Sequence, residues 1–220
     1  MTASTPGPRA TSRDLRREET RRRIYQAAME IFRRDGYASA RIDDIAAASG
    51  VSHGAFYFHF ATKEEVLTQC LRASEARVAA CAEQLDVGVR LTDVLDAVSS
   101  AVAREWIDDP KVFPDVAMVA FRYFGRAVPG TGVDGQARRP ASLVSLALAP
   151  RIRAAAERGE LSAFLPAELL ADLFLVNVFA ATLAWCSDPI APLPMVLGGV
   201  TRIFLDGIRG GAFSPDRPGA

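Results

Sequence analysis

Between Ser52 and Lys63 the chain reads Ser-His-Gly-Ala-Phe-Tyr-Phe-His-Phe-Ala-Thr-Lys, a run of rings and polar tips that suits contact with a nucleic acid. One short helix cannot bury every ring from Phe56 to Phe60. Phe56 and Phe60, four residues apart, can share an inner face with Val51, which turns Tyr57 and His59 elsewhere. Their polar tips suit phosphate oxygens. Lys63 stands at the start of the following helix, where its charge and the free backbone N–H groups both attract phosphate. Gly54 is costly, because glycine inside a helix is disfavoured by up to about 1 kcal/mol relative to alanine. A missing side chain repays that cost where backbone must approach another surface closely, and DNA is such a surface.

Other chemistries are poorly supplied. His53 and His59 lie six apart and do not share a helix face. There is no Glu-x-x-His pair and no nucleophile motif, so no catalytic residue, no metal site and no cofactor is expected. Cys70, Cys81 and Cys186 are odd in number and far apart, and read as reduced thiols of a cytoplasmic protein. Gly130 to Gly135 matches G-x-G-x-x-G, but a dinucleotide site needs a strand before it and a helix opening within it. Here a helical segment precedes it and a polar loop follows, so an inter-helix loop is expected. Formal net charge is zero over 220 residues, which points to no partner and leaves a local basic patch as the relevant quantity for DNA.

The elements that must carry these residues follow from periodicity. Residues 1–15 are expected to form a flexible basic arm. The arginines from Arg13 to Arg23 are interleaved with Asp14, Glu18 and Glu19. They suit either a solvated helix face, with pairs such as Glu18–Arg22 and Glu19–Arg23, or phosphate contact. Ile24, Ala27, Ala28, Ile31 and Phe32 form one apolar stripe, and that helix stops at Asp35-Gly36, where glycine can take a left-handed cap. A second helix carries Asp43 and Asp44 in its first turn and ends at Ser49-Gly50. Ser52 caps a third helix, roughly 53–58. Thr62 and Glu65 form a capping box for a fourth. Ser49-Gly50-Val51 between the second and third helices makes a helix-turn-helix pattern. In that motif the N-terminal residues of the second helix of the pair meet base edges in the major groove. Here those residues are Ser52, His53, Gly54 and Ala55.

Everything beyond Glu65 reads as helical. Helices are expected over 64–85, 92–107, 114–126, 142–158, 166–185 and 194–208, with no strand. The fold class is therefore all-α: a three-helix helix-turn-helix domain over 16–63, a larger helical ligand-binding and dimerisation domain over 64–210, and a flexible tail over 211–220.

Gly36-Tyr37, Ile42-Asp43-Asp44-Ile45-Ala46, Ser49-Gly50-Val51-Ser52, Gly54 and Phe56-Tyr57-Phe58-His59-Phe60 with Lys63-Glu64 together resemble the DNA-binding domain of the tetracycline-repressor (TetR) family. The match runs from about Arg16 to Leu71. The resemblance implies a homodimer, an inducer cavity in an all-helical C-terminal domain, and pairing of the last two long helices with those of the partner. It places phosphate contacts at Tyr57, His59 and Lys63 and base-proximal contacts near Ser52 to Ala55. One departure stands out. The family usually has two hydroxyl residues just before the second helix, and this chain has Ala40 and Arg41. Ser39 can supply a cap one residue early, and Arg41 is expected to contact phosphate by a charge-assisted hydrogen bond.

Residues 166–185 are apolar on nearly all sides, so this helix must be covered all round. Its longest apolar stretch, Leu169 to Trp185, is shorter than the ~20 residues of a membrane span. With 194–208 it suits a four-helix interface about a two-fold axis. Trp106, Phe113, Met118, Phe121, Phe124, Phe174 and Asn177 are candidate ligand-lining residues, with Tyr123, Phe179, Asp172 and Arg122 as further ones, and an apolar or aromatic inducer is expected. The chain is expected to bind a near-palindromic DNA operator as a repressor and to release it when the inducer binds. An activator on the same scaffold, or a helical small-molecule-binding dimer without DNA function, are the alternatives.

Overall fold

A computed structural model of the chain describes residues 11–125, 142–162 and 165–209. Among them the only regular secondary structure is helical: α1 (Ser12–Asp35), α2 (Ile42–Ser49), α3 (His53–His59), α4 (Lys63–Glu83), α5 (Leu91–Trp106), α6 (Phe113–Gly125), α7 (Leu143–Glu157), α8 (Ala167–Ser187) and α9 (Leu193–Arg209). The chain divides into two compact units, Met1–Val66 and Leu67–Ala220. The Gly130–Gly135 motif lies outside the described residues.

In the first unit the apolar stripe of α1 is buried as its spacing requires: Ile24, Ala27, Ala28, Ile31 and Phe32. Ile45 and Ala46 of α2 and Phe56 and Phe60 around α3 complete the core. α1 starts earlier than the expected arm allows. Thr11 and Asp14 form a capping box, with the Asp14 N–H donating to Thr11 Oγ1 (3.3 Å) and the Thr11 N–H to Asp14 Oδ2 (3.0 Å). This puts 12–15 in the helix. At its far end Gly36 takes φ 82° and ψ 153°, a positive-φ conformation open to glycine but not the left-handed helical one. Gly50, at φ 67° and ψ 34°, is the left-handed cap that closes α2.

The expected cap at Ser39 is not formed. Arg41 occupies the N-cap of α2 with no side-chain hydrogen bond to the helix, since a guanidinium has no acceptor to offer. The Thr62–Glu65 box is half as expected. Thr62 Oγ1 accepts the Glu65 N–H (3.2 Å), but the Glu65 carboxylate takes the N–H of Ala61 (2.8 Å) instead of that of Thr62.

In the second unit α7 packs on α8, α8 on α9, α5 on α9 and α7, and α6 on α8. The hydroxyls of Ser99 on α5 and Thr201 on α9 satisfy each other at 2.7 Å inside this core. α8 has 21 residues and is long and apolar enough to cross a membrane by length and composition alone. Asp172 within it accepts from Ser145 of α7 (2.5 Å), and Leu170, Phe174, Leu175 and Val178 are buried in the helical core. Its own chain leaves Leu169, Leu173 and Val176 exposed.

Candidate nucleic-acid interface

The turn between α2 and α3 is built by short-range chemistry. Ser49 Oγ folds back on the Ile45 carbonyl (2.7 Å), and the Val51 N–H reaches the Ala46 carbonyl (3.0 Å). Ser52 then starts α3, its Oγ accepting the Ala55 N–H at 3.2 Å. The burial of Phe56 and Phe60 turns one edge of α3 outward, so His53, Gly54 and Tyr57 are exposed together and Ala55 is half-buried. A Cβ added at Gly54 would meet nothing within 4 Å, so the fold itself does not require glycine there. His53 Nδ1 lies 2.5 Å from Asp43 Oδ1 on α2, and its ring lies 5.2 Å from that of Tyr57. Arg41 is exposed at the start of α2.

The structure puts Lys63 to a use that spacing did not suggest. Its Nζ donates to the carbonyls of Tyr37 (2.7 Å), Ala40 (3.0 Å) and Ala38 (3.4 Å) and sits 4.4 Å from the centre of the Tyr37 ring. An ammonium has three protons, and here three carbonyls of the α1–α2 loop take them.

Arg21 is likewise turned inward. It donates to the His59 carbonyl and to Glu65 (3.3 Å), and lies 4.1 Å over the Phe60 ring. Arg22 pairs with Glu19 (2.7 Å), three residues before it, rather than with Glu18. His59 is half-buried, with Nδ1 buried and unpartnered. Burial, and then the charges of Arg17 and Arg21, hold the His59 imidazole below its ordinary pKa. In the free chain the ring is therefore neutral near pH 7.

Some of the described candidate ligand residues are brought together. Trp106 and Phe113 are buried and pack at 5.0 Å, and Phe113 continues to Phe179 at 5.5 Å. Phe174 instead packs on Phe204 of α9 at 5.3 Å. Met118 and Phe121 are exposed, and the exposed Asn177 amide donates to the Leu173 carbonyl (2.7 Å). The side chains of Tyr123 and Phe124 lie outside the described residues. A recess of about 370 Å³ lies elsewhere in this unit, lined by Ala181, Ala184, Trp185, Asp188, Ile190 and Val196. Sequence had singled out none of these as ligand-lining.

Residues 24–70 match the family model described as bacterial regulatory proteins, tetR family. The HTH-type transcriptional regulator SrpR of Pseudomonas putida is 38% identical over 95 residues, 40% of this chain and 44% of that protein. The uncharacterized HTH-type transcriptional regulator TtgW, also of Pseudomonas putida, is 37% identical over 95 residues, 40% of this chain and 70% of that protein. The chain belongs to the tetR family. Its fold is shared with SmeT, the repressor of the Stenotrophomonas maltophilia multidrug efflux pump SmeDEF. That likeness has a TM-score of 0.62 and 20% identity, over 90% of this chain and 96% of SmeT. Thermus thermophilus FadR, solved with lauroyl-CoA, gives a TM-score of 0.60 and 23% identity over 91% and 100% of the two chains.

Within this tetR-family chain, three contacts around α3 had no reading in the sequence. They are the Asp43–His53 pair, the Lys63 bridge to the α1–α2 loop, and the Arg21 bridge to His59 and Glu65. Each joins residues remote in sequence, so no local spacing announces it. The Thr11–Asp14 box did carry a signal, the pattern Thr-x-x-Asp ahead of the helix.

Proposed function

We propose that this tetR-family chain is a ligand-responsive transcriptional repressor that binds a near-palindromic operator as a homodimer and leaves it when a small molecule binds. The observation that carries this reading is the exposed edge of α3, where His53, Gly54 and Tyr57 stand clear of the core beside the Ser52 cap. A helix-turn-helix presents that edge to base pairs, and a dimer sets two such helices about 34–36 Å apart. The exposed Leu169, Leu173 and Val176 of α8 and Met195 and Ile203 of α9 support a subunit contact through those helices. The inducer is an apolar or aromatic molecule held in the helical unit. It must bind the DNA-free conformation better than the DNA-bound one, and the coupling is then reciprocal. A cytoplasmic location follows from that role.

The test is fluorescence anisotropy of the purified protein on DNA from upstream of its own gene, across a salt series. Saturable binding that weakens with salt and collapses in Tyr57→Ala is the expected result. Arg41→Ala is expected to lower the salt slope by about one per subunit, as loss of a phosphate contact does. Weak binding that ignores both sequence and Tyr57 overturns operator recognition on this DNA and directs the search to a genome-wide selection.

A further inference from the structure

We infer that Asp43 is a positioning residue for base recognition: by holding the Nδ1 proton of His53, it presents Nε2 at the start of α3 as a hydrogen-bond acceptor for an exocyclic amino group of adenine or cytosine. The inference rests on α3 being the recognition helix.

The pair joins the first turn of α2 to the first residue of α3, with Asp43 Oδ1 and His53 Nδ1 2.5 Å apart. The two side chains remain 63% and 55% exposed, and a carboxylate–imidazole contact so open to water contributes little to stability. A carboxylate on a face turned to phosphates also repels them. Its place in the first turn of α2 suits the helix dipole, but that alone does not set it against His53.

The chemistry of the two groups supplies one. An ionised carboxylate only accepts, so the proton between the two atoms belongs to Nδ1. A neutral imidazole has a single N–H, which leaves Nε2 with a lone pair. In the major groove the groups that donate to such an atom are N6 of adenine and N4 of cytosine, while guanine offers only acceptors. The Tyr57 ring packs beside the imidazole, with centroids 5.2 Å apart. Without Asp43 the ring is free to carry its proton on Nε2 and to donate to guanine or to a phosphate.

The experiment is selection from a randomised duplex library with the full chain at about pH 8, well above the ordinary imidazole range. Wild type is compared with Asp43→Ala, Asp43→Asn and His53→Ala. Wild type is expected to select adenine or cytosine at one position of each half-site. His53→Ala and Asp43→Ala should both lose that preference, by about 2–10-fold, while the other positions keep theirs. Asp43→Asn, whose amide can either accept from or donate to Nδ1, should weaken the adenine-or-cytosine preference and admit guanine at the same position. Preference kept by Asp43→Ala but lost by His53→Ala overturns the role of Asp43 and leaves α3 as the reader. Preference kept by His53→Ala also overturns it, because another group then reads the base. If wild type selects no sequence, the recognition-helix reading falls and takes this inference with it.

Discussion

Gly54 and Lys63 show how one side chain divides between fold and function. A methyl group at Gly54 meets nothing within 4 Å in the free chain, so Gly54→Ala removes a helix-interior glycine without a clash. It is expected to stabilise the fold by up to about 1 kcal/mol in chemical denaturation, and to weaken operator binding if DNA approaches that backbone. Equal affinity in the two proteins would remove close approach as the reason for glycine. Lys63 runs the other way. Its three carbonyl contacts predict that Lys63→Met costs about 1–3 kcal/mol of stability, because Tyr37 and Ala40 lose a charged donor. If its charge stays on those carbonyls in the complex, the salt slope of DNA binding is unchanged. A slope lower by about one, with stability intact, would instead return Lys63 to a phosphate.

Among the elements, α4 and α7 are joined by a buried carboxyl group. Glu75 of α4 accepts from Ser142 Oγ at the N-cap of α7 (2.5 Å) and from the Leu143 N–H. Burial pushes its pKa above the ordinary carboxyl value, and the two hydrogen bonds only partly oppose this. The folded chain therefore holds the Glu75 proton more tightly than the unfolded chain does. The stability this gives is full below the unfolded pKa of about 4.3 and is lost as pH rises through the raised folded value. Urea denaturation of wild type and Glu75→Gln should show wild type losing ground to the variant as pH is raised. A stability difference that stays constant with pH would mean that Glu75 titrates as it does in the unfolded chain. Most helices were legible from local rules. The apolar stripe of α1, the Gly50 stop and the Ser52 cap each depend on residues within a turn or two. Asp172 and Ser145, 27 residues apart, were beyond that reach.

At the scale of the whole molecule, α8 and α9 carry apolar side chains that their own chain leaves exposed. α8, apolar on nearly all sides, was expected to be enclosed; a single chain leaves its Val176 at 49% exposure and Ile203 of α9 at 77%. Under the proposed homodimer a second copy covers them. Ile203→Asp then buries an unpaired carboxylate, and the dimer dissociation constant should rise by about 100-fold or more in sedimentation equilibrium. Operator affinity should fall with it, since each monomer presents one α3. An unchanged mass would move the subunit contact elsewhere.

The amino-acid sequence determined the all-α class, the order of the helices, the helix-turn-helix and its family, because periodicity, caps and stops act over a few residues. Tertiary structure decided what each charged or aromatic side chain faces. It set Asp43 against His53 across 10 residues, Lys63 against Tyr37 across 26 and Arg21 against Glu65 across 44. It also split the aromatic residues, burying Trp106 and Phe113 ring to ring while leaving Phe121 exposed. Residue type fixes what a group can bind, but its partner depends on which helices the buried core brings side by side.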